Sequence, residues 1–353
     1  MSIEEEIRRL EEEIKNTPYN KATEHHIGRL KAKLARLKEE AKKRKAPKGQ
    51  GFFVKKAGDA SVAIIGPPSV GKSTLLNKLT NANSKVGNYG FTTTKIIPGM
   101  MEYEGCQIQL LDLPGIIYGA SEGKGRGREI IAMARVVDLI LIMIDVFTVN
   151  ELEYIIKELW NAGIRLNQKP PDVIIKKKDR GGINIEFAKN CRLGYETAKA
   201  IIMEYMSNAD VVIREDITIE QLIDAILGNR VYLPAMVAVN KIDLGNVKIN
   251  VDMDVVYISA EKGYGLDELK KKIFEKLELV RVYLRPEGKK VEEKPMVLRE
   301  GATVRDVCLR LHKDFIKNFR YAIIDGPSAD FPKQRVGLEH EVMDGDIITI
   351  VAR

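Results

Sequence analysis

Gly66-Pro67-Pro68-Ser69-Val70-Gly71-Lys72-Ser73 is the stretch on which the fold turns. It follows an apolar run, residues 61–65, and leads into a helix-forming segment, residues 74–79. Strand, glycine-rich turn, Lys-Ser and helix in that order form a phosphate-binding loop. Glycines let backbone N–H groups converge on an anion, and the helix that follows adds the positive end of its dipole. Gly66, Pro67, Ser69, Val70, Gly71, Lys72, Ser73 and Thr74 are therefore the candidate phosphate-binding residues. Lys72 is placed on the β- and γ-phosphates, and the Ser73 hydroxyl on Mg2+.

Working downstream, Asp112-Leu113-Pro114-Gly115 closes a second apolar run, residues 107–111. A carboxylate there can hold Mg2+, and the Gly115 amide can reach a γ-phosphate that leaves on hydrolysis. Between the two motifs lies Phe91-Thr92-Thr93-Thr94, in which one hydroxyl is expected to complete the metal shell. Thr93 is the candidate and Thr92 the alternative. Lys72, Thr93 and Gly115 are the expected catalytic contacts; Ser73, Thr93 and Asp112 are the expected metal ligands.

Asn240-Lys241-Ile242-Asp243 follows the apolar run 236–239. The Asp243 carboxylate can accept from guanine N1–H and N2–H, a pattern adenine does not present. Ser259-Ala260-Glu261, after the next run, can offer the Ala260 amide to guanine O6. Asn240, Lys241, Asp243, Ser259 and Ala260 are the candidate base-binding residues. GTP or GDP, with Mg2+, is the ligand these motifs imply.

The flanking sequence sets the domain plan. Apolar runs at 61–65, 107–111, 139–144, 236–240 and 255–258 alternate with helical stretches, which predicts an α/β fold with a mainly parallel sheet and ligand at the strand carboxyl ends. Ile3, Ile7, Leu10 and Ile14, then Ile27, Leu30, Leu34 and Leu37, predict an amino-terminal helix pair, with a basic linker to about residue 57. The GTPase-type domain is expected over 58–280, with a helix-rich insertion at about 165–230 that contains Lys169-Pro170-Pro171, the basic run 176–180 and Gly181-Gly182. A small α+β module is expected over 281–353.

The chain has 353 residues, a formal charge of +7, 44% hydrophobic and 30% charged residues, three cysteines and four histidines. That composition describes a globular protein, without a run of about 20 apolar residues for a membrane span. No cysteine pair or histidine spacing suits a disulfide framework or a zinc site. The amino-terminal sequence carries no secretory pattern, which points to the cytoplasm. Lys31, Lys33, Arg36, Lys38, Lys42, Lys43, Arg44, Lys45 and Lys48 crowd together against Glu39 and Glu40. This stretch reads either as an RNA-binding patch or as a solvated helix end.

These motifs, together with Gln109-Leu110-Leu111-Asp112-Leu113-Pro114-Gly115-Ile116-Ile117 and Gly123-Lys124-Gly125-Arg126-Gly127-Arg128-Glu129, resemble the developmentally regulated (DRG) branch of the Obg-like GTPases. The resemblance covers nearly the whole chain and implies that its last part is a TGS domain, a ubiquitin-like β-grasp. It also implies a cytoplasmic switch that binds ribosomes or RNA and a dedicated DRG-family partner protein, with neither membrane nor DNA among its partners. Ile116 stands where Ras-like enzymes place the glutamine that orients water, so a slow intrinsic rate is expected. A sensing RNA-binding scaffold with negligible hydrolysis is the alternative. Arg126, Arg128 or a partner's arginine are candidates for the missing charge; potassium is another, although Ser69 stands where potassium-activated relatives often carry asparagine.

Overall fold

The computed structural model describes residues 2–44, 56–80, 97–113, 127–286 and 288–352. Helices α1 (Ile3–Asn16) and α2 (Glu24–Arg44) precede strand β1 (Ala60–Ile65), helix α3 (Lys72–Leu79) and strands β2 (Ile97–Tyr103) and β3 (Cys106–Asp112). Next come α4 (Gly127–Ala134), β4 (Leu139–Asp145), α5 (Glu151–Asn161), β5 (Ile164–Leu166), β6 (Val173–Lys177) and β7 (Ile183–Phe187). Then follow α6 (Tyr195–Met203), β8 (Ala209–Ile213), α7 (Ile219–Leu227), β9 (Val231–Leu233), β10 (Ala235–Asn240), β11 (Asp254–Tyr257) and α8 (Leu266–Lys276). The chain ends with β12 (Leu279–Leu284), β13 (Met296–Arg299), α9 (Val304–Leu311), α10 (Lys313–Lys317), β14 (Phe319–Asp325), β15 (Gln334–Val336) and β16 (Ile347–Ala352).

Two compact units result: residues 1–51 with 163–232, and residues 52–162 with 233–353. In the first, Ser2 starts α1 through a capping box, with Glu5 N–H donating to Ser2 Oγ (3.2 Å) and Ser2 N–H to Glu5 Oε2 (2.8 Å). The apolar stripe Ile3, Ile7, Leu10 and Ile14 meets Leu30, Leu34 and Leu37 of α2, as its helical spacing predicts. The opposite face of α2 belongs to a different core, in which Ala32 joins Ile201, Val211 and Leu222. Tyr205 Oη donates to Ala32 O (2.8 Å), and the Arg230 guanidinium bridges Glu39 (3.0 Å) and Asp224 (2.8 Å).

The sequence treats the helix pair and the insertion as separate pieces, whereas here they share one core. The insertion is also not mainly helical. Strands β6, β8 and β7 form a sheet in that order, with β6 antiparallel and β7 parallel to β8. Each strand is only five residues long, and of the three β7 alone alternates strictly, with Ile183, Ile185 and Phe187 against Asn184 and Glu186. Much of the basic stretch on α2 is committed to this unit: Lys31 pairs with Glu220, Lys33 with Glu6, and Arg36 with Glu204. The side chains of Lys42 and Lys43, and residues 45–55, lie outside the described residues.

In the second unit a six-stranded sheet runs β11-β10-β4-β1-β3-β2, all parallel except β2, which pairs antiparallel with β3. β1 and β4 are buried along their full length, as central parallel strands covered on both faces must be. β2 contains Pro98 and Gly99, which an edge strand tolerates and which conceal it in the sequence. The carboxyl-terminal module is a five-stranded mixed sheet, β13-β12-β16-β14-β15, around Val282, Val307, Cys308, Ala322, Ile324 and Ile348. Leu279 and Val297 of that sheet also belong to the core of the larger one, alongside Met236 and Ile273. The fold is thus α/β, a P-loop domain followed by a β-grasp.

Candidate functional site

β1 delivers the phosphate loop to the carboxyl edge of the sheet, where a Cβ on Gly66 would lie 1.9 Å from Met143 O on β4. Only glycine lets the loop leave the strand this closely packed. Gly71 has φ +98°, and a Cβ there would lie 2.6 Å from Asn240 Nδ2. Lys72 opens α3 and is nearly buried; its Nζ donates to Pro67 O (2.7 Å) and Gly66 O (3.1 Å). Burial lowers the Lys72 pKa, and the Asp112 carboxylate partly opposes that shift.

Ser73 is exposed, and its Oγ donates to Asp112 Oδ2 at 2.6 Å. Asp112 is the last residue of β3, carried there by a parallel register that sets Ile64 against it. A hydroxyl and a carboxylate converging beside a lysine-bearing loop are the hard oxygen donors that Mg2+ accepts. The structure thus brings together Lys72, Ser73 and Asp112. Thr92, Thr93, Gly115, Ile116 and Arg126 lie outside the described residues, as does the side chain of Arg128.

The guanine motif hangs from β10. Asn240 is buried, and its amide spans two neighbours: Nδ2 donates to Val70 O (2.8 Å), while Oδ1 accepts from Ala260 N–H (2.9 Å). Ala260 N–H, expected to face the base, is therefore turned onto Asn240. Ser259 is likewise buried; its Oγ accepts from Lys262 N–H (3.2 Å) and its carbonyl from Gly263 N–H (2.8 Å). In this arrangement the Ser259-Ala260 pair braces Asn240. Asp243 is exposed at the mouth of the same loop.

Lys241 occupies the left-handed region at φ +62°, and its Nζ donates to Ser69 O (2.9 Å) and Asp145 Oδ2 (2.6 Å). Asp145 was not singled out in the sequence. It ends β4, opposite Asn240 in register, and is almost fully buried. Its carboxylate also accepts from Thr148 Oγ1 (2.9 Å) and Phe147 N–H (3.0 Å). Burial pushes its pKa up, but the bonds from Lys241, Thr148 and Phe147 outweigh it and hold the carboxyl below its ordinary range. The available signal was positional: an acid ending a wholly apolar run beside a strand that ends in a base-reading residue.

Residues 61–177 match the family model of the 50S ribosome-binding GTPases, residues 180–279 the model for the carboxyl-terminal region of that domain, and residues 280–352 the TGS domain. An uncharacterized GTP-binding protein of Methanocaldococcus jannaschii is 57% identical over 366 residues, covering 100% of this chain and 94% of its own. The developmentally regulated G-protein 3 of Arabidopsis thaliana is 45% identical over 366 residues, covering 100% and 99%. The developmentally regulated GTP-binding protein 1 of Xenopus laevis is 44% identical over 363 residues, covering 98% of each. With full-length likeness at this level and both domain types in order, the chain belongs to the developmentally regulated GTP-binding proteins.

Proposed function

We propose that this GTP-binding protein hydrolyses GTP to GDP and phosphate in a magnesium-dependent reaction, and that the cycle switches its association with ribosomes or RNA in the cytoplasm. The observation that carries the reading is the 2.6 Å approach of Ser73 Oγ to Asp112 Oδ2 beside Lys72. Those two oxygens, with Thr93, would hold Mg2+; the ion would neutralise charge developing on the β- and γ-phosphates. Lys72 then contributes its ammonium to the same oxygens, and the Gly115 amide reads the γ-phosphate. Ile116 in place of a water-orienting glutamine supports a slow intrinsic rate, with the remaining charge supplied by Arg126, Arg128, a partner protein of the family's dedicated kind, or K+.

The ribosome is the proposed site of action because the family model over residues 61–177 bears that description. The basic segment around residues 42–48 would add salt-sensitive contact with phosphates. The test is GTP turnover by the purified chain with Mg2+ or with EDTA, in potassium or sodium buffer, with and without ribosomes. Turnover that requires Mg2+ and rises with ribosomes is the expected result. GTP binding without turnover under any condition would instead favour a nucleotide-sensing scaffold.

A further inference from the structure

The geometry points to Asp145 as a positioning residue for guanine recognition, acting through Lys241 to lock the base-reading loop onto the phosphate loop. This inference rests on the reading of Asn240-Lys241-Ile242-Asp243 as the guanine motif. A continuous tether supports it. Asp145 is fixed by its own turn, with its N–H donating to Thr148 Oγ1 (3.0 Å) while Thr148 Oγ1 donates back to the carboxylate (2.9 Å). From there Lys241 Nζ spans to Ser69 O. Both protein ends of that span, Lys241 at φ +62° and Ser69 at φ +63°, are non-glycine residues in the left-handed region. Such conformations persist only where surrounding contacts over-determine them. Here the over-determining contact is one ammonium shared by a buried carboxylate and a loop carbonyl.

The consequence follows from chain direction. Lys241 lies two residues before Asp243, so its backbone sets the direction from which the Asp243 carboxylate meets the base. Ser69 lies inside the phosphate loop, so the same ammonium fixes the distance between base site and phosphate site. Support of this kind, from a residue that touches no ligand, decides whether a site is preorganised or loose. Losing it raises the dissociation rate more than it slows association.

The test compares wild type, Asp145→Asn, Thr148→Ala, Lys241→Met and the Asp145→Asn/Lys241→Met double variant in the full chain. Dissociation of a fluorescent GDP is measured by chase, and affinities for GDP and inosine diphosphate, which lacks the N2 amino group, by competition. Asp145→Asn is expected to speed GDP release roughly tenfold, the worth of one hydrogen bond to a charged group, and to narrow the GDP-to-IDP ratio. Thr148→Ala, which keeps the carboxylate but frees it to swing, is expected to do the same more weakly, and carries the test if Asp145→Asn does not fold. The double variant is expected to be no worse than Lys241→Met alone, because both act through one contact. Unchanged release and ratio in a folded variant, or additive effects in the double, would overturn the assignment. A wild-type chain that fails to distinguish GDP from IDP would instead overturn the guanine-motif reading beneath it.

Discussion

Strand β4 has a buried carboxylate at each end. Asp145 closes it, and Asp138 stands immediately before its first residue. Both resist the upward push of burial because hydrogen bonds from fixed partners hold their carboxyls below the ordinary range. The partners differ. Asp138 accepts from Ser61 N–H (2.9 Å) and Ser61 Oγ (2.8 Å), from Lys56 Nζ (2.7 Å), and from the Arg299 guanidinium of the TGS sheet. Asp145 accepts from a lysine that itself reaches the phosphate loop. One electrostatic device therefore does two jobs. At the amino ends of the strands it fastens a second module, and at the carboxyl ends, where the loops converge, it holds a ligand-reading residue. By linkage both lowered carboxyls contribute to stability near neutral pH, so what separates them is specificity. The charge that serves ligand reading is expected to govern it, and the charge that fastens modules to leave it unchanged.

The sharpest way to break that division is at Asp243, which is exposed and adds nothing to the core. Asp243→Asn removes an acceptor for two guanine N–H groups, each such bond contributing about 1.5–3 kcal/mol. GDP affinity is expected to fall by about 3 kcal/mol or more, with xanthosine diphosphate, whose C2 oxygen suits an amide donor, gaining in its place. Denaturant midpoints should not move. Competition binding with GDP and XDP reads the outcome, and a retained preference for guanine would remove Asp243 from base reading.

Lys72→Met comes next. Losing one preorganised charge at the transferring phosphoryl group is expected to slow GTP turnover roughly 10²–10³-fold, about 3–4 kcal/mol. The sign on stability is opposite. A lysine whose folded pKa is lowered by burial opposes folding while protonated, so methionine at this position should leave the melting temperature equal or higher near neutral pH. A variant that lost stability along with turnover would make Lys72 a structural member of the loop.

How much of this was legible in the sequence depended on how far apart the partners lie. The phosphate loop and the central strands were readable because each is a contiguous run with one dominant period or spacing. β2 was hidden by Pro98 and Gly99, and the insertion's sheet by β6 and β8, whose five-residue runs do not alternate strictly although that of β7 does. Asp145 and Lys241 are 96 residues apart, and Asp138 and Arg299 161 apart, so no local pattern links them. Ala260 shows the converse limit. Its motif was recognisable, yet which group its N–H meets is set by Asn240, which packing places 20 residues away in sequence.

Asp138→Asn is the smallest of these effects and the cleanest test of the contrast. The amide keeps the size of the side chain and one oxygen for Ser61, so the substitution isolates the charge. Lys56 and Arg299 are 54% and 57% exposed and their attraction is screened by solvent, which keeps the expected loss near 1 kcal/mol. The pH dependence has a definite sign. The folded Asp138 pKa is lowered, so its contribution is present above the unfolded carboxylate value near about 4 and is lost as pH falls through the folded value. The stability gap between wild type and Asp138→Asn should therefore be widest near neutral pH and close below about pH 4. Urea titrations across that range measure it. The GDP-to-IDP ratio of the same variant should match wild type, because every partner of Asp138 lies at the end of the sheet away from the nucleotide loops; a shifted ratio would mean that the two ends of β4 are coupled, and that fastening the TGS module is part of how the base is read.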